Sequence, residues 1–266
     1  MLSNQQREQI EVVLVSPRNP LNIGAVARAM ANFGFSRLKI VAPYDPHWRE
    51  AKSAVGAPEI LNHAEVFDEL SEAVRDCTLV AGTGTLTFRQ PEQTVVQLPA
   101  FPSLVRNDLN RGGQVALVFG PEKHGLTRQD LSFCHVMIEI PTGEEQPSMN
   151  LGQAAAVCLY EVAMHSVAAD DPANTGVETA THTRRAAAFG SRPAAASSAS
   201  LELLAGLVEQ VMDAARYSPP SMLEANRHDV RLLLRRLSPG EKDLRRMLGF
   251  FRRILWRLKG SNRESL

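Results

Sequence analysis

Four short stretches of this sequence hold residues whose types and spacing could do chemistry, and each follows an apolar run. Asn22, Gly24 and Arg28 follow the run at 10–15, and Gly82-Thr83-Gly84-Thr85 follows the run at 78–81. Gly120-Pro121-Glu122-Lys123-His124-Gly125-Leu126 follows 115–119, and Ile140-Pro141 with the loop Ser148-Met149-Asn150-Leu151 follows 136–140. Glycines and small hydroxyl residues let a ligand approach the backbone closely. A carboxylate, an arginine and a serine nearby could orient the polar groups of a substrate. The three cysteines, Cys77, Cys134 and Cys158, are far apart in apolar segments and lack ligand spacing, so buried free thiols are expected and no metal site is. Each polar candidate also has a plain structural reading. Asn22 could cap a helix, Glu122 could be a solvated loop acid, and Asn150 could cap the next helix.

Two nucleotide-binding patterns fail on inspection. Gly120 and Gly125 have the glycine spacing of a phosphate-binding P-loop, but Leu126 stands where its lysine belongs. Gly82 and Gly84 lack the third glycine of the dinucleotide fingerprint. No nucleophile-elbow pattern occurs either. What remains is binding and positioning at strand ends.

The elements that must position these residues can be read from periodicity. Ile10 to Val15, Leu38 to Val41, Thr78 to Ala81 and Val115 to Phe119 are short β-branched or apolar runs that stop at turn residues, and Val136 to Ile140 repeats the pattern. Val95 to Leu98 is a weaker edge candidate. Helices are expected between them: one opened by Asn22 and ended by Gly34, one over Phe101 to Leu109, and one opened by Asn150 with Leu151, Ala155, Cys158, Leu159 and Val162 on one face. The stretch from Ala51 to Val74 is helical in character but broken by Gly56 and Pro58. Arg89, just past the third run, is placed to meet an anion. The alternation describes an α/β fold with a mainly parallel sheet, whose ligands bind beyond the carboxyl ends of the strands.

In their joint order and strand-end placement, Asn22, Gly24 and Arg28, then Gly120, Glu122, Gly125 and Leu126, then Ile140, Pro141, Ser148, Asn150 and Leu151, resemble the three motifs of the SPOUT class of RNA methyltransferases, TrmH-like branch. The resemblance runs from about Glu11 to Met164. It implies a deep trefoil knot in the C-terminal part of the sheet, a homodimer, and S-adenosyl-L-methionine as cofactor, with no metal. Carried over by motif, the cofactor would be held by Thr83, Gly84, Thr85, Gly120, Ile140, Ser148, Met149 and Asn150. Arg28, Ser148, Asn22 and Glu122 would serve catalysis: Arg28 at the acceptor ribose, Ser148 orienting it or the substrate, and Glu122 fixing the loop or the arginine. An arginine stays charged below pH ~12, so a clamp on phosphate and developing alkoxide suits Arg28 better than a base. The run Ala25 to Met30 and a helical extension are similar to those members that methylate the ribose of cytidine or uridine at nucleotide 32 of the tRNA anticodon loop; ribosomal RNA or another tRNA position is the alternative. Pro121 departs from relatives with a basic residue there.

The chain of 266 residues suits one large domain, or a domain and an extension. The motifs place the methyltransferase domain at residues 1–167. From Ala168 to Ala199 there are 11 alanines in 32 residues among Ser, Thr, Pro and Gly, which reads as a flexible linker over 168–200. Residues 201–266 carry three helical periodicities. Charge is divided unevenly: from Arg231 to Leu266 there are 11 Lys/Arg against 3 Asp/Glu, and since the whole chain has 29 of each, residues 1–230 hold 18 against 26. A basic extension on an acidic body fits a polyanionic partner, tRNA under the family resemblance, or else a solvated helix face. No membrane-length apolar run or signal peptide is seen, and a cytoplasmic protein is expected.

Overall fold

The computed structural model describes residues 1–85, 91–165 and 195–261. Arg89 and the linker expected over 168–200, up to residue 194, lie outside the described residues. The elements are α1 (Asn4–Arg7), β1 (Ile10–Val15), α2 (Pro20–Phe33), β2 (Arg37–Val41), α3 (Pro58–Asn62), β3 (Glu65–Phe67), α4 (Leu70–Ala73), β4 (Leu79–Thr83) and β5 (Thr94–Gln97). They continue with α5 (Phe101–Leu109), β6 (Val115–Phe119), α6 (Arg128–Ser132), β7 (Val136–Glu139), α7 (Leu151–Met164), α8 (Ser198–Ala214), α9 (Leu223–Leu237) and α10 (Glu241–Ser261).

Seven strands form one sheet in the order β3-β2-β1-β6-β4-β7-β5, and all six pairings are parallel. A parallel sheet is covered on both faces, which is why β6 is a continuous apolar run and β1 is apolar at all but one position, with every position of both buried. Alternate side chains supply two cores: Val12, Leu14, Leu117 and Phe119 pack under α2, α5 and α7, while Val13, Val15, Ala116 and Val118 pack with Leu126, Leu131 and Cys134. All three cysteines are free and buried. Glu11 breaks the apolar run, and its fully buried carboxylate is held by Arg37 at 2.6 Å and Lys39 at 2.7 Å. Charges removed from water survive only when paired in this way.

Three features differ from the sequence expectation. The stretch 51–74 includes the edge strand β3, paired to β2. Helix α2 begins at Pro20 with Asn19 as its N-cap, not with Asn22: the Asn19 side chain accepts from Leu21 N–H, and proline at the first position needs no partner for its nitrogen. The third, α8, starts at Ser198, capped by Ser197, inside the range read as linker.

Helices α8, α9 and α10 share a small core of Leu201, Leu204, Leu234, Leu244 and Leu248. They also grip the sheet-bearing part of the chain. The first two N–H groups of α8, those of Ser198 and Ala199, donate to Cys77 O and Arg75 O, each at 2.9 Å. From α9, Arg231 and Arg235 lie over the Phe133 ring, and His228 meets Glu92 at 2.7 Å.

Candidate functional site

β6, β4 and β7 are neighbours in the sheet and run parallel, so their C-terminal ends open on one side. The loops leaving them enclose a cavity of about 210 Å³. Thr83, Gly84 and Thr85 come from β4, Phe119 and the turn 120–125 from β6, and Ile140, Thr142, Pro147, Ser148 and Met149 from β7, with Leu151 and Ala154 of α7 as the remaining wall. The end of β4 is fastened to both neighbours: Thr83 Oγ1 donates to Val118 O at 3.1 Å, and Gly84 N–H donates to Ile138 O at 3.2 Å.

The turn after β6 is built by its glycines. Gly125 has φ +62°, and its N–H donates to Pro121 O at 2.8 Å. A Cβ on Gly120 would collide with the backbone of Gly125 and Leu126. Leu126, at the place a P-loop lysine would take, is buried in the second core and roots the turn there.

Glu122 projects back from this turn to the loop after β1. Its Oε2 accepts from Arg18 N–H at 3.1 Å, and Oε1 accepts from Asn19 N–H at 3.0 Å and Asn22 Nδ2 at 2.9 Å. Partial burial pushes the Glu122 pKa up, but the hydrogen bonds from Asn22 and the backbone outweigh this and hold the carboxyl below the usual carboxylate range. Asn22 then passes the connection on, since its Oδ1 accepts from Asn150 Nδ2 at 3.0 Å. Asn150 in turn caps α7, accepting from Gly152 N–H at 2.9 Å. Three loops far apart in sequence are thus joined by one chain of side chains.

Of the residues singled out by sequence, Thr83, Gly84, Thr85, Gly120, Glu122, Ile140, Ser148 and Met149 line the cavity. Asn22 and Asn150 stand behind it in the Glu122 chain. Asn150 therefore does what its plain reading said and also joins the site residues. Arg28 is not brought in: it is exposed on α2, about 9 Å along the helix from Asn22, and is absent from the lining. Sequence reasoning missed Phe119, Thr142 and Pro147 as wall residues, and Arg18 and Asn19 as backbone donors. Only the turn chemistry of Pro17 to Pro20 could have hinted at the donors.

The lining suits a nucleoside. Phe119, Ile140 and Leu151 offer apolar walls for a base, Thr83 and Ser148 offer hydroxyls, and the strand-end backbone offers amides. It suits a phosphate poorly, since among the described residues its only Lys or Arg is Lys123. Among the described residues, no group of three or more His, Cys, Asp or Glu could hold a metal ion.

Residues 9–160 match the model of the SpoU rRNA Methylase family. The sequence is 40% identical over 163 residues to the tRNA (cytidine/uridine/adenosine-2′-O-)-methyltransferase TrmJ of Pseudomonas aeruginosa, covering 61% of this chain and 63% of that one. It is 37% identical over 155 residues to the tRNA (cytidine-2′-O-)-methyltransferase TrmJ of Methanocaldococcus jannaschii, covering 58% and 66%. The matched part thus spans less than two thirds of either relative's length. The crystal structure of TrmJ from Z. mobilis superposes with a TM-score of 0.75 at 27% identity, covering 92% of this chain and 98% of that one.

Proposed function

The chain belongs to the SpoU rRNA methylase family, and from that premise we propose that it is an S-adenosyl-L-methionine-dependent RNA methyltransferase that acts on a ribose 2′-oxygen of tRNA. The observation that carries this reading is the cavity at the ends of β4, β6 and β7, with apolar walls beside hydroxyls and backbone amides, supported by the similarity to tRNA methyltransferases. Cytidine or uridine at nucleotide 32 of the anticodon loop is the proposed acceptor. The family's description favours ribosomal RNA as a second reading. A knot in the C-terminal part of the sheet, a homodimer, a cytoplasmic location and a division into a methyltransferase domain over 1–167, a linker after it and a basic helical extension that opens with α8 at Ser198 belong to the same proposal. Among the described residues, no helix is long and apolar enough to cross a membrane.

When bound, the cofactor supplies an electrophilic methyl group. Thr83, Gly84, Thr85, Gly120, Ile140, Ser148 and Met149 would hold it, with Asn150 acting behind them as the cap of α7. Glu122 and Asn22 fix the loops, so that the reacting atoms meet without reorganisation of the site. Ser148, in the lining, orients the acceptor hydroxyl. Arg28 stays cationic and serves as an electrostatic clamp on the acceptor ribose and its phosphate. Because Arg28 is exposed and outside the cavity, it reaches the acceptor only when RNA crosses α2 or a second protomer presents its own α2. The test is incubation with labelled S-adenosyl-L-methionine and purified tRNA or ribosomal RNA, followed by mass spectrometry of nucleosides. Label in a 2′-O-methylated tRNA nucleoside, lost in Arg28→Ala with cofactor affinity kept, is expected. Absence of cofactor binding by calorimetry would overturn the reading.

A further inference from the structure

Helix α10 carries seven Lys or Arg between Lys242 and Lys259, all exposed, while its two acids, Glu241 and Asp243, are confined to the first turn. Leu244 and Leu248 are buried and Phe251 packs with them in the core shared with α8 and α9, which commits that face of the helix. Trp256 lies about 110° round the helix from that face, on its solvent flank, 59% exposed among cations. At helical spacing its surface neighbours are Arg252, Arg253 and Lys259. The Arg253 guanidinium lies 4.4 Å from the centre of the indole ring. Two turns before Trp256 and one turn after it on the same side are Gly249 and Gly260, where even an added Cβ would meet nothing within 4 Å. The indole therefore has room beside it for a flat ring.

We propose that Trp256 is a stacking platform for an unpaired RNA base, with Arg252, Arg253 and Lys259 holding the adjoining phosphates. Every base has a π-face, so an exposed aromatic ring among cations binds single-stranded RNA with little regard to sequence. Charge complementarity selects this occupant. A second α10 docked on this one would set cation against cation, and an anionic membrane would need the apolar face that α10 has already buried against α8. The inference rests on the reading of the protein as an RNA enzyme, and it gives the RNA an anchor on α10, apart from the cavity at the sheet.

The only other tryptophan, Trp48, is 2% exposed, so the emission of Trp256 reports directly on this surface. The experiment titrates the full chain with a ten-nucleotide oligouridylate and with an abasic ribose-phosphate oligomer of equal length and charge, in the wild type, Trp256→Phe and Trp256→Leu. Circular dichroism verifies that each variant is folded. Stacking predicts quenched emission and oligouridylate binding roughly five- to 160-fold tighter than abasic binding in the wild type. It predicts part of that preference in Trp256→Phe and none in Trp256→Leu, with the salt dependence unchanged. Equal binding of the two oligomers by the wild type overturns the proposal, as does a base preference that survives in Trp256→Leu. So does quenching by anionic phospholipid vesicles without quenching by RNA. Cofactor titration and methyl transfer by the wild type, measured separately, show whether the enzymatic reading stands when stacking fails.

Discussion

Glu122 does its work as an acceptor only. Three donors converge on its two oxygens; an amide keeps one acceptor oxygen, which can still take Asn19 N–H and Asn22 Nδ2 while Arg18 N–H faces the amide NH2, whereas alanine leaves all three donors without a partner. Glu122→Ala should therefore weaken cofactor binding by roughly 1 kcal/mol, and Glu122→Gln by less, the effect being small for bonds to a charged group because the residue is exposed to solvent. Calorimetric titration decides: unchanged affinity with abolished turnover would make Glu122 a direct participant in the reaction. A second residue sets a pH dependence. His135 Nδ1 accepts from Val80 N–H at 3.0 Å, and burial, aided by the nearby Arg235, pushes its pKa down to about 3. Between that value and the unfolded value near 6.5, the unfolded chain binds the proton and the folded chain does not, so stability falls as pH falls through this window. The slope from this group is at most ~1.4 kcal/mol per pH unit. His135→Gln should flatten it, as read from urea midpoints at pH 7 and 5; identical slopes in both proteins would refute the assignment.

At the scale of elements, the turn after β6 shows why a glycine can be essential to a binding site without touching its ligand. A valine at 120 drives its side chain into the backbone at Gly125 and Leu126, so the turn itself must open. Gly120→Val should abolish cofactor binding and also lower the melting temperature, because Leu126 is drawn from the second core. Lost binding at an unchanged melting temperature would mean that the side chain merely fills the cavity. The sequence made the same glycine visible through a different cause, the need for close ligand approach. Elements with strong internal patterns were legible: Ile10–Val15, Phe101–Leu109 and Val115–Phe119 are the ranges that periodicity predicts. β3 was not, because three residues, Glu65-Val66-Phe67, are too few to display a period. Asn19 and Asn22 are both acceptable caps by type, and only the chain's path into Pro20 chooses between them. The sheet order was beyond sequence, since β4 enters between β6 and β7 through packing of residues far apart in the chain.

For the whole molecule, the charge asymmetry was legible but its division between helices was not. In α9, Arg231 and Arg235 share Glu202 at 2.9 and 3.0 Å and Arg227 holds Glu209 at 2.6 Å, so these three brace α9 against α8, while Arg236 is exposed. Those pairings depend on α8, well back in the chain, and nothing local announces them. The arginines of α10 are exposed, which leaves them to a polyanionic partner or to solvent. This also shows why deleting residues 201–266 is a poor test of RNA binding. The deletion would uncover Phe133, take His228 away from Glu92 and cut α8 after its first three residues. Neutralising Arg245, Arg246, Arg252 and Arg257 to glutamine leaves every one of these interactions in place. For RNA bound through a loop or single strand, each phosphate left without its cation should reduce the slope of log affinity against log salt by ~0.7, so the fourfold variant should bind tRNA more weakly with a slope flatter by up to about 3. Arg227→Gln, removing a brace, should instead leave the slope as it is and lower stability. If the fourfold variant keeps both the affinity and the slope of the wild type across a salt series, the RNA is held by other surfaces and the exposed charges of α10 serve only solvation.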